Sequence, residues 1–391
     1  MKLNCDITLP ASKSESNRAL MIAAYGGFAP DFRNLSESND TLVLAKAIQD
    51  ISDAKPEIYI ADCGTAARFL TTYLACHEGD WLLIGTERMH QRPMSPLVDA
   101  LNSLGADIQY VESYGCLPLR IKGRRLSVSK TYVDITQSSQ FASSLLLAAP
   151  LFPQGLELEL LGELSSMPYL DMTLEMLRHF MAQVKRNGRT VVVKSQPYQK
   201  LEFTVEPDWT AASYWYEMAA FSEECEIRLR SLGLRFLNMS KESKRRPHIQ
   251  GDAIISKWMQ QLGVGTFVEG EDVILRKIPF EKGSLNFDFS QHLDLYPTMA
   301  AICAGLNVEA RFTGLDNLVF KESNRVEAMQ TELAKLAKTP ICFSAHNDHR
   351  VVMALAPLSM LIGPVSFDYP DVVEKSYPNY WEDTPFLPVK R

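Results

Sequence analysis

Runs of apolar residues at helical spacing, each opened by a short polar turn, recur along the chain. The first reads SKSESNRALMIAAYGG. Its Ser12 and Glu15 have capping-box spacing, and Gly26 suits a C-terminal stop. DCGTAARFLTTYLA, SSQFASSLLLAAP, DWTAASYWYEMAAF, HLDLYPTMAAICAG, KESNRVEAMQTELAKLA and NDHRVVMALAPLSML follow the same plan. In KESNRVEAMQTELAKLA, residues Val326, Met329, Leu333 and Leu336 stand at i, i+3, i+7 and i+10, which gives one apolar face. Between these stretches lie short β-rich runs: LELELLGEL (156–164), RTVVVKS (189–195), LEFTVE (201–206), EIRLRSL (226–232) and VILRKI (273–278). Strands alternating with helices predict an α/β or α+β architecture built from a supersecondary unit copied several times. The spacing of the copies is too irregular for a solenoid.

Composition narrows the picture. A chain of 391 residues predicts two domains. Apolar residues at 46% and charged residues at 22% are those of a globular enzyme. The longest apolar run, Val351 to Leu361, is too short to span a bilayer, and MKLNCDITLP lacks the apolar core of a signal peptide. The seven cysteines are scattered without a CxxC pair, which predicts reduced thiols in a cytoplasm rather than a disulfide frame or zinc cage. A net charge of −7 argues against nucleic acid or an anionic membrane as partner. It leaves room for a small polyanion held by local clusters of cations. The basic run Lys241–Pro247 reads as a solvated loop.

The turns that open the helices are the candidate chemistry. A helix N-terminus offers free backbone N–H groups and the positive end of the helix dipole, where phosphates and carboxylates bind. Several such ends aimed at one place, each beside Lys or Arg, make a site for a multiply charged anion. Singly, each turn is equally well a capped surface helix: Ser12-Lys13-Ser14 and Ser138-Ser139-Gln140 read that way, and Arg88 with Arg92 reads as an exposed basic turn. His346 and His349 beside Asp348 suggest a metal only if further ligands stand close, and none does in sequence. There is no GxSxG elbow, P-loop or GxGxxG fingerprint; Gly263-Val264-Gly265 lacks the third glycine.

Taken in order, the segments resemble the EPSP synthase family over nearly the whole chain. LPASKSESNRAL is similar to that family's P-x-S-K-S-x-S-N-R-A-L opening, and CGTAARF to its G-T-A-x-R block. RMHQRPMSPLVDALNSLGA, SSQFASSLLLAAPL, SSMPYLDMTLEML, VEPDWTAASYW, DNLVFKESNRVEAMQTEL, HNDHRVVMAL and VEKSYPNYWED complete the series. The resemblance implies a two-lobed α/β (α+β) enolpyruvyl transferase fold. Each lobe would hold three βαβαββ repeats, with helices converging on the interlobe cleft. The first lobe would span 12–206, and the second 1–11 with 207–391. It also implies the reaction. The 5-hydroxyl of shikimate 3-phosphate attacks C2 of phosphoenolpyruvate, and the tetrahedral intermediate then loses phosphate. Both substrates carry a phosphate and a carboxylate, so cations and proton-moving carboxylates are needed.

Matched position by position, the resemblance assigns Lys13, Ser14 and Arg18 to the shikimate carboxylate region, with Lys13 also reaching phosphoenolpyruvate. Ser138, Ser139, Ser166 and Tyr169 hold the shikimate phosphate, Gln140 bridges both ligands, and Asn317 with Lys321 completes that pocket. Gly64, Arg88, Arg325, Arg350 and Lys375 bind phosphoenolpyruvate, with Thr65 close by. Asp294 accepts the 5-hydroxyl proton and Glu322 serves C3; Lys13 shares in the proton transfers. The partners implied are the two small substrates, acting on a cytoplasmic monomer with no metal or organic cofactor, and glyphosate is expected to inhibit.

The chain departs from the family pattern at Asp62, where Asn is usual, and in two short segments. Little room for strands is expected between the helix at 41–50 and Gly64, and a strand pair is expected to be missing between Leu336 and His346. The sister transferase acting on a UDP-aminosugar carries a reactive Cys in a loop that here reads ERMHQRPMS, without one. A non-catalytic phosphate-binding protein would have no use for the Asp294–Glu322 pair.

Overall fold

The computed structural model describes residues 1–233, 249–281, 283–337 and 340–390. The basic run at 241–247 lies outside the described residues. The chain divides into two compact units: Lys13–Ser36 with Asp40–Val205, and Met1–Ser12 with Glu37–Asn39 and Glu206–Arg391. They are the first and second unit below.

The chain opens with strand β1 (Lys2–Ile7), which belongs to the second unit. The first unit begins with helices α1 (Lys13–Gly26) and α2 (Asn39–Ser52). Then come β2 (Glu57–Tyr59), α3 (Gly64–Cys76), β3 (Gly79–Ile84), α4 (Ser95–Ser103), β4 (Asp107–Tyr110) and β5 (Leu119–Gly123). They form one βαβαββ repeat with sheet order β2-β3-β5-β4, the first pair parallel and the others antiparallel. A second copy follows: β6 (Lys130–Asp134), α5 (Gln140–Ala148), β7 (Leu156–Leu161), α6 (Met167–His179), β8 (Val184–Asn187) and β9 (Thr190–Val193). Its sheet, β6-β7-β9-β8, repeats the same directions. In each copy the parallel pair needs a crossover and the final pair a hairpin, which is why helices follow the first two strands only.

In the second unit, β1 pairs in parallel with β10 (Glu224–Leu229), which follows α7 (Trp209–Phe221). Helix α8 (Ile255–Gln260) and the hairpin β11 (Val264–Glu269)–β12 (Asp272–Lys277) complete the sheet β1-β10-β12-β11. Leaner copies come next. One is β13 (Leu285–Asp288), α9 (Tyr296–Leu306), β14 (Ala310–Thr313) and α10 (Arg325–Leu333), with a two-stranded parallel sheet. The other is β15 (Ile341–Phe343), α11 (His349–Leu355), β16 (Val365–Phe367) and β17 (Val389–Lys390), parallel throughout. The segment before Gly64 thus keeps one three-residue strand, and the segment between Leu336 and His346 keeps another. LEFTVE forms no strand. Phe203 and Val205 bury their side chains as alternation predicts, but the backbone makes only an isolated bridge at Arg33 and a single bond from the Ser12 N–H to the Glu206 carbonyl. Alternation reports which side chains are buried, not whether a neighbouring strand exists.

All thirteen residues of α7 are buried, so this helix is the centre of the second unit's core. It carries Glu217, whose two carboxylate oxygens have no hydrogen-bond partner. Burial pushes this carboxyl well above its ordinary value of 4.5, so it stays protonated in the folded chain. The unfolded chain releases that proton above about pH 4.5. The contribution is therefore intact below that pH and erodes as pH rises toward the folded value. Chemical denaturation of the native chain should lose about 1.4 kcal/mol per pH unit through this window relative to Glu217→Gln. Parallel pH profiles for the two chains would contradict it.

Candidate active site

Each helix of the first unit places its start among the others. Arg18, 2% exposed, lies in the second turn of α1. Its Nε donates to Thr173 Oγ1 at 2.7 Å, one Nη to the Ser14 carbonyl at 2.9 Å, and the other to the Tyr169 carbonyl at 3.1 Å and Ser143 Oγ at 3.4 Å. Ser14, Ser143 and Tyr169 sit in the first turns of α1, α5 and α6, with Thr173 one turn further along α6, so one guanidinium gathers three helix N-termini. Burial lowers its pKa to about 10, which leaves it charged. Gln140, the first residue of α5, donates to Thr65 Oγ1 at 3.1 Å and brings in the start of α3. Ser138 Oγ accepts the Gln140 backbone N–H, Ser139 is buried, and Ser166 stands before α6 in a left-handed conformation at φ 53°. Four sets of backbone N–H groups therefore gather in one region beside hydroxyls and cations.

The cations have defined seats. Lys13 pairs with the buried Asp40 carboxylate at 2.8 Å, and the Cys63 thiol donates to the Asp40 carbonyl at 3.6 Å. Gly64 opens α3 beneath two guanidinium groups. A Cβ there would stand 2.5 Å from Arg92 Nη1 and 2.7 Å from Arg68 Nη1. Arg68 also braces the turn through the Gly64 and Pro93 carbonyls. Arg92, read from sequence as part of an exposed turn, is 8% exposed and packs against Gly64. Arg88 donates instead to Gln91 in its own turn at 3.2 Å. The RxxxR spacing was visible in the sequence; which arginine turned inward was not.

The second unit assembles a denser charge cluster. Arg325, 1% exposed at the start of α10, donates to Asp348 at 2.8 Å, Asp294 at 2.8 Å and Glu322 at 2.7 Å. Arg350 reaches the other Asp294 oxygen at 2.8 Å, and Lys321 lies 3.6 Å from the first. Asp348 accepts the Arg350 backbone N–H as the N-cap of α11 and the Ser323 hydroxyl. Asn317 and Lys375 are buried, and the turn at Pro370–Lys375 packs on α11. Asp208 caps α7 and feels Arg350, although burial raises its carboxyl overall. Asp348 entered the sequence reading only as a neighbour of His346 and His349, and Asp208 not as a site residue; each carries the common signal of an N-cap.

Electrostatics sorts these groups. Burial alone would raise Asp294, but Arg350, Lys321 and Arg325 together hold it well below the usual carboxylate range. Lys321 is lowered, by desolvation first and then by the two arginines, against the pull of Asp294 and Glu322. Arg325 is driven the other way: its three carboxylates outweigh the cost of burial and keep it protonated. The cluster thus has an ionised carboxylate able to take a proton and cations able to meet an anion. Among the described residues, no group of three or more His, Cys, Asp or Glu is arranged to hold a metal ion, and no helix is long and apolar enough to cross a membrane.

Comparison with known proteins places this arrangement. The sequence model of EPSP synthase (3-phosphoshikimate 1-carboxyvinyltransferase) matches residues 34–384. A 3-phosphoshikimate 1-carboxyvinyltransferase of Bacteroides fragilis strain YCH46 is 40% identical over 98% of this chain and 95% of its own length. The protein of that name from Colwellia psychrerythraea is 31% identical over 97% and 96%. The solved structure of EPSP synthase from Acinetobacter baumannii superposes with a TM-score of 0.70 at 19% identity, covering 98% of this chain and 96% of that one. The enolpyruvyl transferase NikO from Streptomyces tendae gives 0.67 at 14%, covering 98% and 95%; both are likenesses of fold.

Arg325→Gln would leave Asp348, fully buried, without its main counter-charge. A loss of about 3–5 kcal/mol is expected, read as a lower denaturation midpoint with an unchanged slope. A midpoint within error of the native chain would show that the cluster does not hold the unit together.

Proposed function

The chain belongs to the EPSP synthase family, and from that premise we propose that it transfers the enolpyruvyl group of phosphoenolpyruvate to the 5-hydroxyl of shikimate 3-phosphate, releasing phosphate by addition and elimination. The observation that carries the reading is Asp294: an ionised carboxylate held by Arg350, Arg325 and Lys321 with Glu322 on the same arginine. Asp294 takes the hydroxyl proton as oxygen attacks C2, and Glu322 serves C3, with Lys13 sharing in the proton transfers. Lys13, Ser14 and Arg18 serve the shikimate carboxylate region. Ser138, Ser139, Ser166 and Tyr169 hold its phosphate, and Gln140 meets both ligands. Asn317 and Lys321 complete the shikimate set. Phosphoenolpyruvate is assigned to Lys13, Gly64, Arg88, Arg325, Arg350 and Lys375, and its seat on Gly64 adds Arg92 to that set. The cations are side chains, so the reading needs no metal or organic cofactor. It describes a cytoplasmic monomer.

The low pKa of Asp294 has a use in this scheme. A carboxylate so strongly stabilised is a poor base. When the anionic substrate draws Arg350 toward itself, Asp294 loses a counter-charge and its proton affinity rises. Binding of phosphoenolpyruvate therefore prepares the base that its own reaction requires.

The deciding experiment measures phosphate released from phosphoenolpyruvate with and without shikimate 3-phosphate. Release that depends on both supports the reading, and no release overturns it. Asp294→Ala and Glu322→Gln should each lower kcat by about a hundredfold or more with much smaller changes in KM; near-native turnover removes that residue from the mechanism. Gly64→Ala should keep the fold, because the nearest atoms its Cβ meets are the far ends of the Arg92 and Arg68 side chains, which can move aside. Its KM for phosphoenolpyruvate should rise about tenfold, and an unchanged value would detach Arg92 from that substrate.

A further inference from the structure

We propose that Glu332 and His346 are a positioning pair that sets where Arg350 stands; the inference rests on the reading of Arg350 as a phosphoenolpyruvate ligand. Helix α10 holds the stretch from Ser344 to Arg350 at both of its ends. At its start Arg325 grips Asp348. At its last turn Glu332, 1% exposed, accepts from the His346 ring at 2.8 Å, from the Ser344 backbone N–H at 2.9 Å and from Lys335 at 2.5 Å.

The stretch needs such a hold. His346 and Asn347 both sit in the left-handed region, at φ 50° and 52°. Two consecutive residues with side chains rarely adopt that conformation, and they keep it only where the surroundings fix it. Asp368 fixes the near side by accepting the Ala345 N–H and the Ser344 hydroxyl. Glu332 fixes the far side through the His346 ring. The left-handed pair turns the chain so that Asp348 can cap α11 and meet Arg325, and so that Arg350, two residues on, meets Asp294. A one-turn slip here would separate Arg350 from Asp294 while leaving the sheets intact.

The charges around the pair are consistent with a fixed hydrogen bond. Lys335 compensates the buried Glu332 carboxylate and is itself tied to the Cys342 carbonyl. Asp368 is engaged by Ser344 and Ala345 rather than by the imidazole. The ring nitrogen facing Glu332 acts as donor, a role that a neutral amide can reproduce.

The test compares His346→Ala, His346→Gln and Glu332→Gln with Arg350→Ala, using KM for each substrate, kcat and thermal melting. His346→Ala is expected to raise KM for phosphoenolpyruvate about tenfold, with KM for shikimate 3-phosphate within twofold. His346→Gln, which keeps a donor, should restore most of the loss, and Glu332→Gln should resemble His346→Ala. A lower melting temperature with unchanged phosphoenolpyruvate KM would make the pair merely structural and overturn the proposal. So would a His346→Gln chain no better than His346→Ala. Should His346→Ala fail to fold, Glu332→Gln and His346→Gln decide by the same criteria. Arg350→Ala separates the two levels. An unchanged KM there overturns the assignment of Arg350 and this pair's role with it; a large rise there with none in the His346 variants overturns the pair alone.

Discussion

A guanidinium buried to 1% exposure and shared by three carboxylates is the constraint on which the second unit's chemistry depends. Removing charges from water is costly unless geometry and hydrogen bonding compensate. Arg325 meets that condition because its fork offers donors in fixed directions, which a lysine ammonium does not. Its three partners come from three places in the chain. Asp294 precedes α9, Glu322 precedes α10, and Asp348 caps α11. One residue thereby fixes the mutual positions of three helix starts. The neighbouring charges balance: Asp294, Glu322 and Asp348 against Arg325, Arg350 and Lys321.

The first unit answers the same requirement with different chemistry. Arg18 also gathers helix starts, but its acceptors are carbonyls and hydroxyls instead of carboxylates. The buried Glu15 carboxylate favours the charged form of Arg18 from nearby, and the dipoles of the surrounding helices add positive potential. The two buried arginines thus answer burial in two ways. Arg18 is satisfied by neutral acceptors, whereas Arg325 is satisfied by carboxylates.

The helices were legible because each apolar stretch begins at a polar turn, and the sheets because most β-rich runs alternate. LEFTVE shows the limit. Its alternation correctly predicts that Phe203 and Val205 are buried, but only folding decides that a single bridge at Arg33 meets it. The site was legible in the same partial way. Motif resemblance pointed to Asp294, Glu322, Arg325 and Arg350, and the structure joins those four through direct ion pairs. It did not reveal Arg92 over Gly64, Asp40 beside Lys13, or Glu332 on His346. Those partners lie 28, 27 and 14 positions apart in the sequence. Their meeting depends on how helices and turns pack, which no local spacing encodes.

The two kinds of cation around Asp294 differ in a way that suits their tasks. Arg325 is raised by its carboxylates, so its charge persists at any pH the fold survives, and it can serve as a permanent brace. Lys321 is lowered by desolvation and by the arginines beside it, so its proton is less tightly held. A substrate phosphate near Lys321 would restore that proton affinity, because a negative neighbour favours the charged amine. An anion bound beside Lys321 and protonation of that amine would therefore support each other, whereas the brace would not respond. A lysine in place of Arg325 would lose this distinction, since a single ammonium cannot satisfy three carboxylates in fixed directions.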